Sequence, residues 1–156
     1  MTELSVRKIV PDDAESIAAL WLGCTAEVAE TESIYVPAVT AEELTDELAR
    51  EFEARRRFGW VAHTESQLAG YVTCAFQSES TLFVPREYLY VHDLDVAPAF
   101  RQHGVSRLLM EYVEGYARAQ GVRRVELGVV WNDPRSRAVW EKHGFEPHFV
   151  CMHKDL

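Results

Sequence analysis

The chain has 156 residues and an apolar fraction of 47%, enough for one domain with a proper core and too apolar for disorder. Its formal charge of −9, from 25 acidic and 16 basic side chains, argues against a nucleic-acid partner, which needs a basic face. Acidity of this kind keeps a chain in solution and is also compatible with a cationic small substrate. No apolar run of signal-peptide or membrane-spanning length occurs, so no membrane partner is expected. Cys24, Cys74 and Cys151 are widely spaced, and the six histidines show no zinc spacing. The expectation is reduced thiols in a cytoplasmic protein, with no metal site.

Residues 4–10 read as a first strand. Pro11-Asp12-Asp13 then starts a helix with Asp12 or Asp13 as cap, and Ile17, Leu20, Trp21, Cys24 and Val28 follow at helical spacing. The segment 31–39 is a loop. Thr40-Ala41-Glu42-Glu43 has the form of a capping box and opens a second helix carrying Leu44, Leu48 and Phe52. Its many charges read as a solvated face. Residues 59–64 and 70–76 form a predicted hairpin turning near Glu65-Ser66-Gln67. A polar connection over 77–87 leads to a third strand of that group, 88–96.

The next helix is marked by Val105, Leu108, Leu109, Tyr112, Val113 and Tyr116 and closed by Gly121. A strand over 124–130, a short helix from Pro134 through His143 ended by Gly144, and a last extended segment over 145–154 complete the chain. No repeat, linker or low-complexity tract appears, so a single domain over 1–156 is expected. Helices and strands alternate in the second half, as crossover units do, which predicts an α/β domain with a mixed sheet.

The informative stretch is His92–Leu109, HDLDVAPAFRQHGVSRLL. A strand ends at Val96-Ala97-Pro98, and the loop Arg101-Gln102-His103-Gly104-Val105-Ser106 runs directly into a helix. Free backbone N–H groups and the positive end of the helix dipole make such a junction a site for phosphate or pyrophosphate. The pattern Arg-x-x-Gly-x-Ser is neither a P-loop nor a dinucleotide fingerprint. On the strand before it, Tyr90, His92, Leu94 and Val96 share one face and Asp93 and Asp95 the other, provided no bulge intervenes.

This loop resembles the coenzyme A pyrophosphate loop of the GNAT superfamily of N-acetyltransferases, usually Arg/Gln-x-x-Gly-x-Gly/Ala, with Ser106 where Gly or Ala is usual. The order of elements is similar over nearly the whole chain. The resemblance implies a GNAT-like fold, with a mixed, mostly antiparallel central sheet that splays into a V and is flanked by helices. It implies acetyl-CoA as co-substrate and transfer of its acetyl group to a primary amine of a small molecule or peptide. A homodimer is compatible with it. For the coenzyme it implies backbone contacts from Gln102, His103, Gly104, Val105, Ser106 and Arg107, charge from Arg101 and Arg107, and pantetheine pairing along Leu94, Asp95 and Val96. His92 then stands where the family carries the group that takes the amine's proton, with Tyr90 beside it contacting substrate or a relay water.

Asp133-Pro134-Arg135-Ser136-Arg137-Ala138-Val139-Trp140 resembles the family's Asn-x-x-Ala-x-x-x-Tyr. Two positions depart. Asp133, with Asn132 before it, replaces the Asn, and Trp140 replaces the tyrosine that protonates the departing sulfur. An indole is an N–H donor without a titratable acid, and core packing is an equal reading for Trp140. The departures keep open a second reading, a module that binds acyl-CoA with little or no catalysis. The resemblance implies an acceptor site built, by position, from 31–39, 77–87 and 146–152, where Glu32, Tyr35 and Glu79 stand available to a cationic amine or serve as ordinary surface residues.

Overall fold

The computed structural model describes residues 4–156. The sheet has five strands in sequential order: β1 (Ser5–Lys8), β2 (Phe58–His63), β3 (Leu68–Ser78), β4 (Glu87–Val96) and β5 (Val125–Leu127). The first four are antiparallel, and β5 runs parallel to β4. The parallel step requires a crossover, which α3 (Val105–Ala119) supplies. Helices α1 (Ala14–Ala29) and α2 (Ala41–Glu53) connect β1 to β2, and α4 (Pro134–Lys142) follows β5.

Period-two burial divides the core between the two sheet faces. On one face Ile17, Ala18, Leu48 and Phe52 of α1 and α2 pack on Val61 and Tyr71. On the other, Leu109, Met110 and Val113 of α3 pack on Trp60, Val72, Cys74, Leu89 and Val91. Gly59 is required by close approach of β3: a Cβ there would lie 1.9 Å from the Val72 carbonyl oxygen.

Local signals work as the sequence predicts. The Thr40 hydroxyl accepts from the Glu43 N–H at 3.2 Å while the Glu43 carboxylate accepts from the Thr40 N–H at 2.8 Å, which is the capping box. The hairpin turns over 64–67, where the Thr64 N–H donates to the Gln67 carbonyl. Gly121 and Gly144 close α3 and α4 in the left-handed region, at φ 74° and 84°.

Two expectations need correction. The segment 145–154 forms no strand and joins no sheet, and Phe149 and Met152 on it are 84% and 89% exposed. Its alternation reads as a strand, but strand formation needs an edge brought within bonding distance. Asp13 does not cap α1. Its carboxylate turns back to take two hydrogen bonds from Arg7, at 2.7 and 2.8 Å, and one from the Val10 N–H at 2.8 Å.

This fork ties β1 to the start of α1. Burial, which alone would raise the Asp13 pKa, is outweighed by the Arg7 and Val10 donors, so it lies below the ordinary 3.8. A carboxylate with a depressed native pKa stabilises fully above its unfolded value and loses that contribution as the pH falls through the native one. Asp13→Asn should therefore cost about 1–3 kcal/mol at pH 7 and flatten the loss of stability below about pH 4, as read by urea denaturation across pH.

Candidate active site

The site is organised by an irregularity in β4. Thr73 pairs with Asp93 but Cys74 pairs with Val91, so His92 is an extra residue with no partner on β3. Such a bulge shifts the alternation of the strand by one. Before it, Leu89 and Val91 face α3; after it, Leu94 and Val96 do. Asp93 and Asp95 thereby fall on the α1/α2 face, where they meet Thr73 and Tyr71. The single face expected for Tyr90, His92, Leu94 and Val96 is broken at His92.

The Tyr90 and His92 rings meet edge to face with centroids 5.0 Å apart. Burial, and secondarily the Arg57 guanidinium, hold the His92 pKa below the ordinary 6.5, against the opposing pull of Asp93 and Glu51. The Asp93 carboxylate accepts from the Trp21 indole at 3.1 Å, the Thr73 hydroxyl at 3.0 Å and Arg57 at 3.4 Å. The Tyr71 hydroxyl donates to Asp95 at 2.6 Å, and burial pushes the Asp95 carboxyl up to about 6. Asp95 is thus fixed to the α1/α2 side by its side chain.

Beyond the bulge the sheet opens. β5 pairs with β4 only from Leu89 to Val91. The Ala97 N–H donates to Ala69 on the β3 side, so by alternation the backbone groups of Leu94 and Val96 face the open side and those of Asp95 face β3. An extended amide ligand finds donors and acceptors there that the ladder has left unused.

This edge leads into the Arg101–Arg107 loop. Gln102 and Gly104 adopt left-handed backbone, φ 64° and 80°. Among the described residues no protein oxygen accepts from the backbone N–H groups of Gln102, His103, Gly104, Val105, Ser106 or Arg107. Together with the α3 dipole they form a cradle that fits a pyrophosphate. His103 turns its Nδ1 to the Arg101 carbonyl, 2.7 Å away. Arg101 points elsewhere: its guanidinium bridges Glu27 on α1, at 2.8 and 2.9 Å, and the Val96 carbonyl at 3.1 Å. Arg107 pairs with Glu111 at 3.2 Å on the exposed surface of α3, a contact weak enough to yield to a phosphate.

Opposite the loop, Asp133 caps α4, accepting from the Arg135 N–H at 3.0 Å and the Ser136 hydroxyl at 2.7 Å. Its charge is thus met by its own helix terminus. Asn132 donates to Glu32 at 3.1 Å, joining the β5–α4 loop to the α1–α2 loop. Tyr35 lies in that loop, 44% exposed. Glu79 is paired with Arg86. Trp140 packs against Phe145 and His143, with centroids 5.4 and 5.8 Å apart, and on the α3-side core.

A cavity of about 810 Å³ runs along the outer edge of β5, lined by Tyr90, Gly128, Trp140, His148 and Phe149 among others. No residue of the 101–107 loop lines it, so the cavity and that loop are separate features. Among the described residues no group of His, Cys, Asp or Glu can hold a metal ion, and no helix is long and apolar enough to cross a membrane.

Sequence reading missed Trp21, Arg57 and Thr73, which meet at Asp93. Trp21 belongs to the apolar stripe of α1, and Arg57 ends the run Arg55-Arg56-Arg57 that reads as solvated charge. Neither carries a local signal, because their meeting depends on the bulge.

The sequence matches the Acetyltransferase (GNAT) family over residues 23–145. A thialysine N-epsilon-acetyltransferase of Caenorhabditis elegans is 28% identical over 133 residues, 85% of this chain and 77% of the relative. Among solved structures, a mutant of the BH1408 protein from Bacillus halodurans superposes with a TM-score of 0.87 at 19% identity, covering 97% of this chain and 99% of that one. A predicted acetyltransferase from Clostridium acetobutylicum, solved with acetyl-CoA, gives 0.75 at 15% identity over 98% and 96%. With a family match spanning the bulge, the loop and α4, the chain belongs to the GNAT family and is an acetyl-CoA-dependent N-acetyltransferase.

Proposed function

We propose that the protein moves the acetyl group of acetyl-CoA directly to a primary amine of a small molecule or peptide, with His92 as the proton acceptor. The observation that carries the reading is the continuity of one surface. The unpaired edge at Leu94 and Val96 runs into the free N–H groups of 102–107, and His92 sits where that edge opens. The edge suits the pantetheine amides and the loop suits the pyrophosphate. Their junction is where a thioester would lie.

An amine attacks only as the free base, so a proton must leave it. An imidazole kept below its usual pKa is unprotonated at neutral pH and available to take that proton. Tyr90, in ring contact with His92 and lining the β5 cavity, extends the site toward the acceptor. The cavity also borders His148 and Phe149, so it joins β4 to one of the segments expected to receive the amine. Thialysine, named for the nematode relative, gives a first acceptor class, amines on a small zwitterionic body. The same reading places the enzyme in the cytoplasm.

Trp140 bears on the leaving group. A thiol is acidic, with a reference pKa of ~8.5 for cysteine, and its thiolate departs without a strong acid. The packing of Trp140 on Phe145, His143 and the α3-side core supports a packing role, and on this reading the transfer does not depend on its N–H. The second reading, an acyl-CoA-binding module, is favoured only by the missing titratable proton at this position.

Calorimetry with acetyl-CoA and with desulfo-CoA should show saturable binding of both, and Gly104→Ala, forced into left-handed backbone at a cost of about 1–2 kcal/mol, should weaken both by roughly tenfold. Thiol release over a panel of primary amines that includes thialysine distinguishes enzyme from module: a module binds coenzyme and releases no thiol with any amine. In the enzyme, His92→Ala should lower turnover roughly 10²–10⁴-fold. Trp140→Phe should leave turnover within about twofold, while Trp140→Ala costs roughly 3 kcal/mol of stability, read by thermal and urea melts.

A further inference from the structure

The bulge sets two consecutive side chains, His92 and Asp93, toward the α1/α2 layer, where a third group reaches them. Helix α2 ends with Arg55 in left-handed backbone, φ 54°, and the N–H groups of Arg56 and Arg57 both donate to the Glu51 carbonyl, at 3.0 and 3.4 Å. This tight exit separates the two arginines. The Arg56 guanidinium folds back on the Glu51 carboxylate at 2.7 Å. The Arg57 guanidinium goes to the sheet and meets Asp93 at 3.4 Å. Arg57 is 31% exposed at its side chain and Asp93 22%, so the pair is only partly open to solvent.

Four charged or titratable groups face His92. Arg57 comes from the α2–β2 turn, Glu51 from α2, and Asp93 and Tyr90 from β4. From β3 comes Thr73 and from α1 Trp21, both uncharged and both donating to Asp93. Glu51 pairs with Arg56 and Asp93 accepts from three donors, yet both carboxylates still favour a proton on His92, while burial and Arg57 oppose it. A proton added to His92 is therefore added against Arg57, a cation that does not titrate in the working range.

We propose that Arg57 is a positioning residue for the transfer, fastened to Asp93 at the bulge so that its charge keeps the His92 imidazole a proton acceptor. The inference rests on the reading of His92 as the base. Asp93 has a double part in it: it anchors Arg57 at 3.4 Å, and its own charge pulls the proton toward His92, a pull that burial and Arg57 together outweigh. The amine's proton passes to His92 as the new C–N bond forms and the thioester C–S bond breaks, coenzyme A leaving as the thiolate. The Arg57 charge favours onward release of the proton from His92, to solvent or to the thiolate, which resets the base.

The test compares the wild type with Arg57→Met and Arg57→Lys, following the His92 ring by NMR, its resonance assigned by its loss in His92→Ala, and following kcat/KM against pH with the fastest amine of the panel above. Thermal melts establish that each variant is folded. Removing the charge should raise the His92 midpoint by about half a pH unit to one unit. The acid limb of kcat/KM should move upward by the same amount, so that activity lost at pH 6 returns as the pH rises. Arg57→Lys, which keeps the charge and can keep the single contact to Asp93, should restore both. An unmoved His92 titration in Arg57→Met overturns the proposal while leaving the base assignment intact, and so does an equal loss of rate at every pH. A titration that shifts while the rate profile does not removes His92 from catalysis, and the role of Arg57 in the reaction falls with it.

Discussion

The site depends on one extra residue in β4. If Thr73, Cys74 and their partners paired in regular register, every side chain from Asp93 onward would exchange faces. Leu94 and Val96 would leave the α3-side core, and two carboxylates would enter it. The bulge makes both halves of the strand compatible with burial: Leu89 and Val91 before it and Leu94 and Val96 after it reach the same core. A bulge also bends and twists its strand. The pairing of β4 with β5 ends at Val91, the residue before the bulge. The distortion that satisfies the core is thus also where the sheet opens to a ligand.

The divergence of β4 and β5 leaves polar backbone exposed, and the structure uses part of it. Arg101 donates to the Val96 carbonyl and reaches Glu27 on α1. Arg101, at the start of the α3 loop, is therefore a brace between the strand edge and α1, and the capacity of that loop for negative charge rests on main-chain N–H groups and the α3 dipole. This agrees with the overall acidity of the chain. Oriented dipoles bind a polyanion without a basic surface, whereas arginines engaged by Glu27 and Glu111 contribute little until those pairs yield.

The parts of this fold that local chemistry dictates were readable from sequence: the capping box at Thr40–Glu43, the turn at 64–67, the glycines that close α3 and α4, and the loop that opens α3. Each is settled within a few residues. The family resemblance implies a bulge in this strand, but the residues alone do not place it at His92, because its cause is the register between Cys74 and Val91 and the apolar partners each face can offer. The placement of Asp93 followed it out of view, and so did the meeting of Trp21, Thr73 and Arg57. The unpaired tail fails for a related reason. The alternation over 145–154 is that of a strand, yet pairing requires a neighbour, and the β5 edge stands apart from it across a cavity.

Two substitutions that set this chain apart from the family pattern turn out to be coupled to packing more than to chemistry. Asp133 accepts two hydrogen bonds at the start of α4, and those donors hold its carboxyl below its ordinary pKa despite burial. Asn and Asp serve that cap nearly equally, so the exchange preserves the helix start, and the added charge is answered locally by the helix terminus. Trp140 extends the apolar face of α4 onto Phe145 and the α3-side core, where a tyrosine would bring a hydroxyl needing a partner. On the proposed reading, a site with no titratable donor at Trp140 relies on the intrinsic acidity of the thiol to let it leave. The chemical demand then shifts to the other end of the reaction, deprotonating the amine. That is the end at which the bulge gathers His92, Asp93 and Arg57.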